Sequence, residues 1–152
     1  MASEQSYNIT LSNNKSEKEG IQLLLEKDDT FINPTASERK EILQKLNLPP
    51  TFTRAFDLVK VKSKINQELA EYSIHEIQLI ELKTTKKHLP NLPKGFFFGA
   101  TQNEFDIAQR LGDKYMFCFV SLHEGSKDYA LLTLMELEKI IKTKRIQYQI
   151  NL

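Results

Sequence analysis

The stretch IQLIELKTTKK, residues 77–87, predicts the centre of the fold. Apolar side chains occur on both faces of the segment from Ile77 to Leu82, which is typical of a strand in the middle of a sheet. Residues two apart on a strand project from the same face, so Glu81 and Lys83 continue the row that Ile77 begins. A carboxylate and an ammonium are unfavourable at the end of a buried strand unless they are paired or used. This end of the strand is therefore the first candidate for a functional site.

Other segments also show strand patterns. Around residue 57 the sequence alternates, with Asp57 on the same face as Val59 and Val61. GFFFGA is expected to be a short buried strand between two glycines, and RIQYQINL is expected to be the closing strand. The segments are AFDLVKVKS (55–63), GFFFGA (95–100), YMFCFVSL (115–122), the beginning of YALLTLMELEKIIKTK (129–144) and RIQYQINL (145–152).

Helix signals lie before and between these strands. A helix is predicted from Ser16 to about Asp28, and residues 1–15 have the composition of a flexible leader. The segment 64–73 is compatible with a short helix or with a structured loop. Capping-box patterns predict three further helix starts, at Thr35 with Glu38, Thr101 with Glu104 and Thr133 with Glu136. The order of elements predicts one α/β domain over residues 16–152, in which helices flank a mixed central β-sheet.

Composition restricts the classes of protein to which the chain can belong. Its 152 residues carry a formal net charge of only +1, which argues against a protein that coats nucleic acid electrostatically. The sequence contains no apolar run of about 18 residues, so no membrane span is predicted. Residues 1–20 are too polar for a signal peptide. Cys118 is the single cysteine and cannot form an internal disulfide, so a cytoplasmic protein without a membrane partner is expected. Motifs of P-loop NTPases, serine hydrolases and zinc modules are absent from the sequence.

The polar end of the 77–87 stretch has the residue types of a metal-dependent phosphodiesterase. Asp57 lies on the otherwise apolar face of an earlier strand, and with Glu81 it makes an oxygen pair suited to Mg²⁺, with Mn²⁺ as a substitute. Lys83 beside them is suited to orient a water or to stabilise charge on a phosphate. The alternative is a plain ion pair between Glu81 and Lys83 at the rim of the sheet, as in a structural or regulatory protein.

These residues resemble a known group of nucleases. Asp57, then Glu81-Leu82-Lys83, then a helix after the next segment are similar to the PD-(D/E)xK superfamily of restriction-endonuclease-like nucleases. IELKTT (80–85) followed by GFFFGATQNEFDIAQRLGDKYMFCFV (95–120) resembles especially the nuclease-like domain at the C-terminus of NO VEIN and in bacterial restriction-associated proteins. The resemblance covers about residues 55–122. It implies a restriction-endonuclease-like fold and a catalytic trio of Asp57, Glu81 and Lys83, in which the two acids hold the metal.

The resemblance leaves the first acid of the trio open. Phe56 stands where the superfamily has a proline, and the 23 residues between Asp57 and Glu81 (58–80) exceed the commonest spacing. Asp28 and Asp29 are therefore alternatives to Asp57.

Two further positions follow from the resemblance. Such sites often include an acidic residue of the first helix, and the sequence does not distinguish among the three acids of that helix. Asn103 and Glu104 match an Asn-Glu helix start, where they either approach the site or cap the helix. The acids of the first helix are Glu17, Glu19 and Glu26.

Basic residues follow the proposed metal site along a proline-containing loop. Lys86, Lys87 and Lys94 are expected to contact DNA phosphates. The sequence thus predicts a magnesium-dependent DNA endonuclease of restriction type, in which a homodimer or sequential nicking would cut both strands. The alternative is a catalytically inactive nuclease-like module of a defence system that binds DNA or another protein.

Overall fold

The protein is built on a mixed β-sheet. A computed structural model describes the backbone of residues 4–64 and 68–152, and within those ranges the side chains from Lys15 onward. In the described residues five strands form one sheet, and their spatial order is their chain order. The strands are β1 (Phe31–Ile32), β2 (Leu58–Val61), β3 (Ile77–Thr85), β4 (Tyr115–Ser121) and β5 (Asp128–Thr133).

The middle strand is β3, as its two apolar faces predicted. It pairs antiparallel with β2 and parallel with β4. In this register Leu58 is opposite Ile80, and Glu81 is opposite Phe117. A parallel pair requires a crossover connection, and the segment between β3 and β4 supplies one that contains a helix. The predicted α/β class with a mixed central sheet is therefore confirmed.

Helices flank the sheet and begin at the predicted capping boxes. In each box the threonine hydroxyl accepts the N–H of the glutamate three residues on, and that glutamate accepts the threonine N–H. The helix after Thr101 ends at Gly112, whose φ of 58° favours glycine. The helices in the described residues are α1 (Glu4–Lys27), α2 (Ala36–Lys45), α3 (Gln102–Leu111) and α4 (Leu134–Glu138).

The first helix is longer than the sequence predicted. A helix was expected from Ser16 after a leader over residues 1–15, whereas α1 begins at Glu4. Polar residues such as Ser and Asn carry no hydrophobic period, so they give no signal even where they continue a helix that is established further along. Residues 1–3 lie outside the described part of the chain. Although α1 has 24 residues, none of the described helices has the apolar length that crossing a membrane needs.

Apolar layers cover both faces of the sheet. On one face Ile77 and Leu79 pack with Phe117 and with residues of α2 and α3. On the other face Ile80 and the buried thiol of Cys118 pack with leucines of α1. Because alternate residues of β3 enter both layers, the strand is fixed on both sides, and its carboxyl end is held in a defined position.

A glycine allows α1 to lie close to the end of β3. A Cβ atom built at Gly20 would lie 2.7 Å from the Thr84 methyl carbon and 3.2 Å from a methyl carbon of Leu82. Any side chain at residue 20 would therefore push the helix away from the strand. The close approach brings the turn of α1 that precedes Gly20 to the carboxyl end of β3.

Two predicted strands are not formed. GFFFGA (95–100) is an irregular loop, because β4 is already paired with β3 and β5, and the loop lies against the sheet face instead of at an edge. RIQYQINL (145–152) has no strand conformation and is exposed. Alternation of apolar residues produces a strand only where the segment pairs with a neighbouring strand, and residues 145–152 pair with none of the described strands. Within 64–73 the described residues form a single 3₁₀ turn, Leu69–Glu71, while residues 65–67 lie outside the described ranges.

Candidate active site

The register of β2 and β3 places Asp57 beside Glu81. Extending the pairing of Leu58 with Ile80 by one residue puts Asp57 opposite Glu81. The Asp57 N–H donates to the Ile80 carbonyl at 2.8 Å, and the Leu82 N–H donates to Oδ2 of Asp57 at 2.7 Å. These bonds fix both the backbone and the side chain of Asp57. The structure therefore brings together the two acids that the sequence proposed as a pair.

An arginine holds the backbone of Asp57 from the other side. Arg39 on α2 donates to the carbonyl oxygens of Phe56 at 2.5 Å and of Asp57 at 2.7 Å. Its guanidinium also lies 5.1 Å from the centre of the Phe56 ring. No local pattern predicts this role, because Arg39 and Asp57 are 18 residues apart and belong to different elements.

The Glu81 carboxyl is buried and incompletely bonded. Glu81 is only 7% exposed, and its Oε2 has no hydrogen-bond partner among the described residues. Burial and the neighbouring charge of Asp57 raise the pKa of Glu81 to about 10, against a smaller opposing effect of Lys83. Repulsion between the two neighbouring negative charges is relieved when Glu81 is protonated. Two ionised carboxylates in this position need a cation.

Lys83 is the positive charge of the site. Its Nζ lies 2.6 Å from Oε1 of Glu104 and 3.3 Å from Oε1 of Glu81. Burial opposes the charge on the ammonium, but the two glutamates outweigh burial and raise the pKa of Lys83. Lys83 is therefore a cation at neutral pH and is suited to stabilise negative charge, not to accept a proton.

Glu104 caps α3 and also approaches the site, so both expected roles occur together. Its Oε2 accepts hydrogen bonds from the N–H and the hydroxyl of Thr101, at 3.2 and 2.8 Å. Its other oxygen, Oε1, accepts from Lys83. The start of the helix thereby fixes the position of the lysine. The neighbouring Asn103 is exposed.

Of the acids on α1, the structure places Glu17 next to the site. Partial burial, followed by the nearby charge of Asp57, raises the pKa of Glu17. Gly20 makes this approach possible, because it lies one turn after Glu17 and allows α1 to contact the end of β3. Glu26 accepts a hydrogen bond from Gln22 instead, at 2.7 Å.

The alternative first acid of the trio is occupied elsewhere. Asp28 accepts hydrogen bonds from the backbone and hydroxyl of Thr30, at 2.9 and 2.7 Å, and lies 3.9 Å from the ammonium of Lys60. These bonds lower the pKa of Asp28. Its neighbour Asp29 is exposed in the turn before β1. The register of β2 and β3 thus brings Asp57 to Glu81, while Asp28 stabilises the turn.

A divalent cation fits the residues present as a partial site. Among the described residues, no group of three or more His, Cys, Asp or Glu side chains is arranged to hold a metal ion by itself. Mg²⁺, however, keeps several waters and is commonly held by one or two carboxylates together with substrate phosphates. The paired carboxyls of Asp57 and Glu81, with the unbonded buried oxygen of Glu81, have the chemistry of such a site.

Two clefts adjoin the site. A cleft of ≈280 Å³ opens beside Glu17 and Lys83, and a second of ≈360 Å³ lies on the α2 side of Asp57, with Lys40 and Arg54 in its wall. The first is lined by Glu17, Leu82, Lys83, Thr84, Phe97, Phe98 and Gly99. Both carry basic side chains near the carboxylates, which is the charge distribution that a phosphate group requires.

The predicted DNA-contacting lysines are exposed. Lys86 and Lys87 follow the carboxyl end of β3 directly, and Lys94 lies in the loop before α3. Among the described ion pairs none involves these three lysines, so their charges are available to a ligand.

No protein-family model matches the sequence, and neither a curated protein nor a solved structure has significant similarity to the chain. The resemblance to PD-(D/E)xK nucleases therefore stays a prediction. The candidate site is defined by its own geometry, in which Asp57, Glu81 and Lys83 lie together at the end of the middle strand.

Proposed function

We propose that the protein is a metal-dependent DNA endonuclease with a restriction-endonuclease-like fold. The observation that carries this proposal is the buried Oε2 of Glu81, which has no hydrogen-bond partner among the described residues although Asp57 and Lys83 lie beside it. A structural ion pair would satisfy its oxygens with donors, since an unpaired buried acceptor is unfavourable by about 1–3 kcal/mol. A site that binds a cation leaves such an oxygen available.

Asp57 and Glu81 would hold Mg²⁺, or Mn²⁺ in its place. Hard cations of this kind prefer carboxylate oxygens, and these two residues present them from adjacent strands. When bound, the ion supplies a Lewis acid for the phosphate and lowers the pKa of an attacking water. Glu17 supplies a further carboxylate on the solvent side of the pair.

Lys83 contributes the charge that hydrolysis of a phosphodiester needs. As the water oxygen bonds to phosphorus and the bond to the leaving sugar oxygen breaks, negative charge grows on the phosphate oxygens. The Lys83 ammonium stabilises that charge, and Glu104 keeps it in place before substrate arrives, so little reorganisation is required. The attacking water loses a proton to solvent and the leaving oxygen takes one from it, since solvent reaches the site through the adjoining cleft.

DNA is the proposed substrate because exposed cations extend away from the site. Lys86, Lys87 and Lys94 would bind backbone phosphates, which positions a strand without reading its sequence. Each such contact makes binding weaker as salt increases. One site cuts one strand, so cleavage of both strands would take a homodimer or two successive nicks.

Plasmid cleavage tests this proposal. Purified protein is incubated with supercoiled plasmid and Mg²⁺, Mn²⁺ or EDTA, and the same assay is made with Lys83→Met and Lys62→Met. Lys62 is an exposed lysine after the far end of β2, so Lys62→Met removes the same charge away from the site. We expect metal-dependent nicking that Lys83→Met loses and Lys62→Met retains. Equal activity of both variants would contradict the proposal.

One observation favours the alternative of a nuclease-like binding module. The described residues contain no complete group of three metal-binding side chains, and a site that never completes its ligands would bind DNA without cutting it. In that case the protein would shift labelled DNA in a gel, while its nicking would be equally negligible with and without Mn²⁺.

A further inference from the structure

The loop between β3 and α3 presents one aromatic ring to solvent. Phe97 is 94% exposed, whereas its neighbours Phe96 and Phe98 each pack edge-on against Phe119 at 5.0 Å between ring centres. Exposure of so large an apolar ring is unfavourable, and Phe96 and Phe98 on either side of it are partly buried. The exposed ring of Phe97 is therefore a candidate for binding a ligand.

The ring is held in place by the surrounding loop. The Lys94 N–H donates to the Asn91 carbonyl at 2.9 Å, and the Phe96 N–H donates to the Pro93 carbonyl at 3.0 Å. After the loop, the capping box of Thr101 begins α3. With Phe96 and Phe98 anchored on the sheet, the residue between them must point outward. Phe97 is thus held in position before a ligand binds. Binding to this ring would therefore lose little conformational entropy.

Phe97 stands at the edge of the cleft that contains Lys83. The same cleft includes Glu17 and Gly99, and a Cβ atom built at Gly99 would meet nothing within 4 Å. The space beside the ring is therefore open. A phosphate bound by Lys83 would put the adjoining nucleotide within reach of the ring.

We infer that Phe97 stacks on an unpaired nucleobase of the strand whose phosphate occupies the cleft, so that the substrate is single-stranded nucleic acid or a duplex in which a base is unpaired or leaves the helix at the cut. This inference rests on the proposed function and specifies its substrate. Aromatic rings bind bases of any sequence through their π-faces. In an intact duplex both faces of a base are covered by its neighbours, so a ring can stack only where a base has left the helix.

The surroundings of Phe97 favour a base over a protein partner. A stable protein interface covers about 800 Å² on each partner and has an apolar centre. Phe97 is instead a single exposed ring between Phe96 and Phe98, which pack on the sheet, and a lysine, Lys94, lies three positions before it in the same loop. One ring with a neighbouring cation is the combination that binds single strands.

A tryptophan at this position reports stacking directly. The chain contains no tryptophan, so Phe97→Trp introduces the only one. It is combined with Glu81→Gln, so that binding is measured without hydrolysis. We expect single-stranded DNA or RNA oligonucleotides to quench its fluorescence, and the matched blunt duplex to quench it much less. An abasic strand, which keeps the phosphates, should bind without quenching. Equal quenching by the abasic strand or by the duplex would overturn the inference.

Affinity gives a second measurement. Base stacking corresponds to roughly 5- to 150-fold in affinity, so Phe97→Leu should weaken binding of single strands by that range, and Phe97→Tyr should not. Tyr148 is 78% exposed and serves as the matched control, because Tyr148→Leu removes another exposed ring. Unchanged binding by Phe97→Leu would overturn the inference.

The two proposals fail in different ways. If Phe97→Leu binds and cuts single strands as the unmodified protein does, while cleavage still requires Lys83, the stacking inference is wrong and the endonuclease stands. If Phe97→Trp is quenched as expected but Lys83→Met leaves nicking unchanged, the proposed chemistry is wrong and the base-binding surface stands.

Discussion

The two ends of β3 have the same backbone pairing but different roles. At the amino end, Ile77 and Leu79 are opposite Val61 and Val59, and all four side chains are buried in one apolar layer. At the carboxyl end, Glu81 faces Asp57 and pairs with Lys83. The first end contributes stability through burial, whereas the second buries a carboxyl whose ionisation weakens the fold in the absence of a cation. The comparison predicts that substitutions at the carboxyl end mainly lower activity, whereas substitutions at the amino end mainly lower stability.

The largest expected effect is on activity at the carboxyl end. Glu81→Gln keeps the shape of the side chain and removes the charge that would bind the metal. We expect the rate of metal-dependent nicking to fall by about 10²–10³-fold, comparable to the loss of one group that stabilises a transition state. Single-turnover cleavage of plasmid measures this effect, with circular dichroism to show that the variant is folded. Nicking at the unmodified rate would contradict the role of Glu81.

The next largest effect is on stability at the amino end. Leu79 is fully buried, so Leu79→Ala should lower the free energy of unfolding by about 2–5 kcal/mol. Urea unfolding monitored by circular dichroism measures the change. The nicking rate per folded molecule should change little, because Leu79 does not contact the site. A comparable loss of activity in the folded fraction would show that the two ends are not separable.

The buried charge of Glu81 predicts a pH dependence of stability. Its pKa is about 10 in the folded protein and 4.5 as a free side chain, so the stabilising protonated form is fully present below pH 4.5 and is lost as pH rises toward 10. Without divalent cations, the unmodified protein should therefore lose more stability than Glu81→Gln as pH rises, by up to about 1.4 kcal/mol for each pH unit between about pH 5 and pH 9. Parallel curves for the two proteins would contradict the burial of this charge.

The smallest effect is expected where α1 meets the site. Gly20→Ala places a methyl group against Thr84, at a penalty of about 1–3 kcal/mol, and gains about 1 kcal/mol of helix propensity. The net loss of stability should be about 1 kcal/mol, measured by thermal unfolding. The variant should also displace Glu17 from Asp57. Gly99→Ala, where a Cβ atom would meet nothing within 4 Å, is a control for the loss of a glycine.

The sequence predicted those parts of the fold that depend on local signals. The two apolar faces of β3 and the three capping boxes depend on residues within a few positions of one another, and all were found. Alternation also put Asp57 on the face of β2 that meets Glu81. The convergence of the trio was predictable because adjacent strands bring residues together at defined spacings.

The parts that were missed depend on tertiary contacts. Arg39 reaches Asp57 across 18 positions, and no local pattern distinguishes it from any other helical arginine. The segment GFFFGA has the composition of a buried strand, but it pairs with none of the described strands, and its middle ring is exposed while the rings on either side pack on Phe119. The same holds for residues 145–152, which alternate without a described partner strand.

Binding of a divalent cation by Asp57 and Glu81 is the central claim, and thermal unfolding with Mn²⁺ tests it most directly. Binding to the folded protein alone should stabilise it by about 2.7 kcal/mol at a metal concentration 100 times the dissociation constant. The melting temperature of the unmodified protein should therefore rise with Mn²⁺, and it should not rise in Asp57→Asn or Glu81→Gln. An unmodified protein without any shift, or variants that shift as much as it does, would contradict the account.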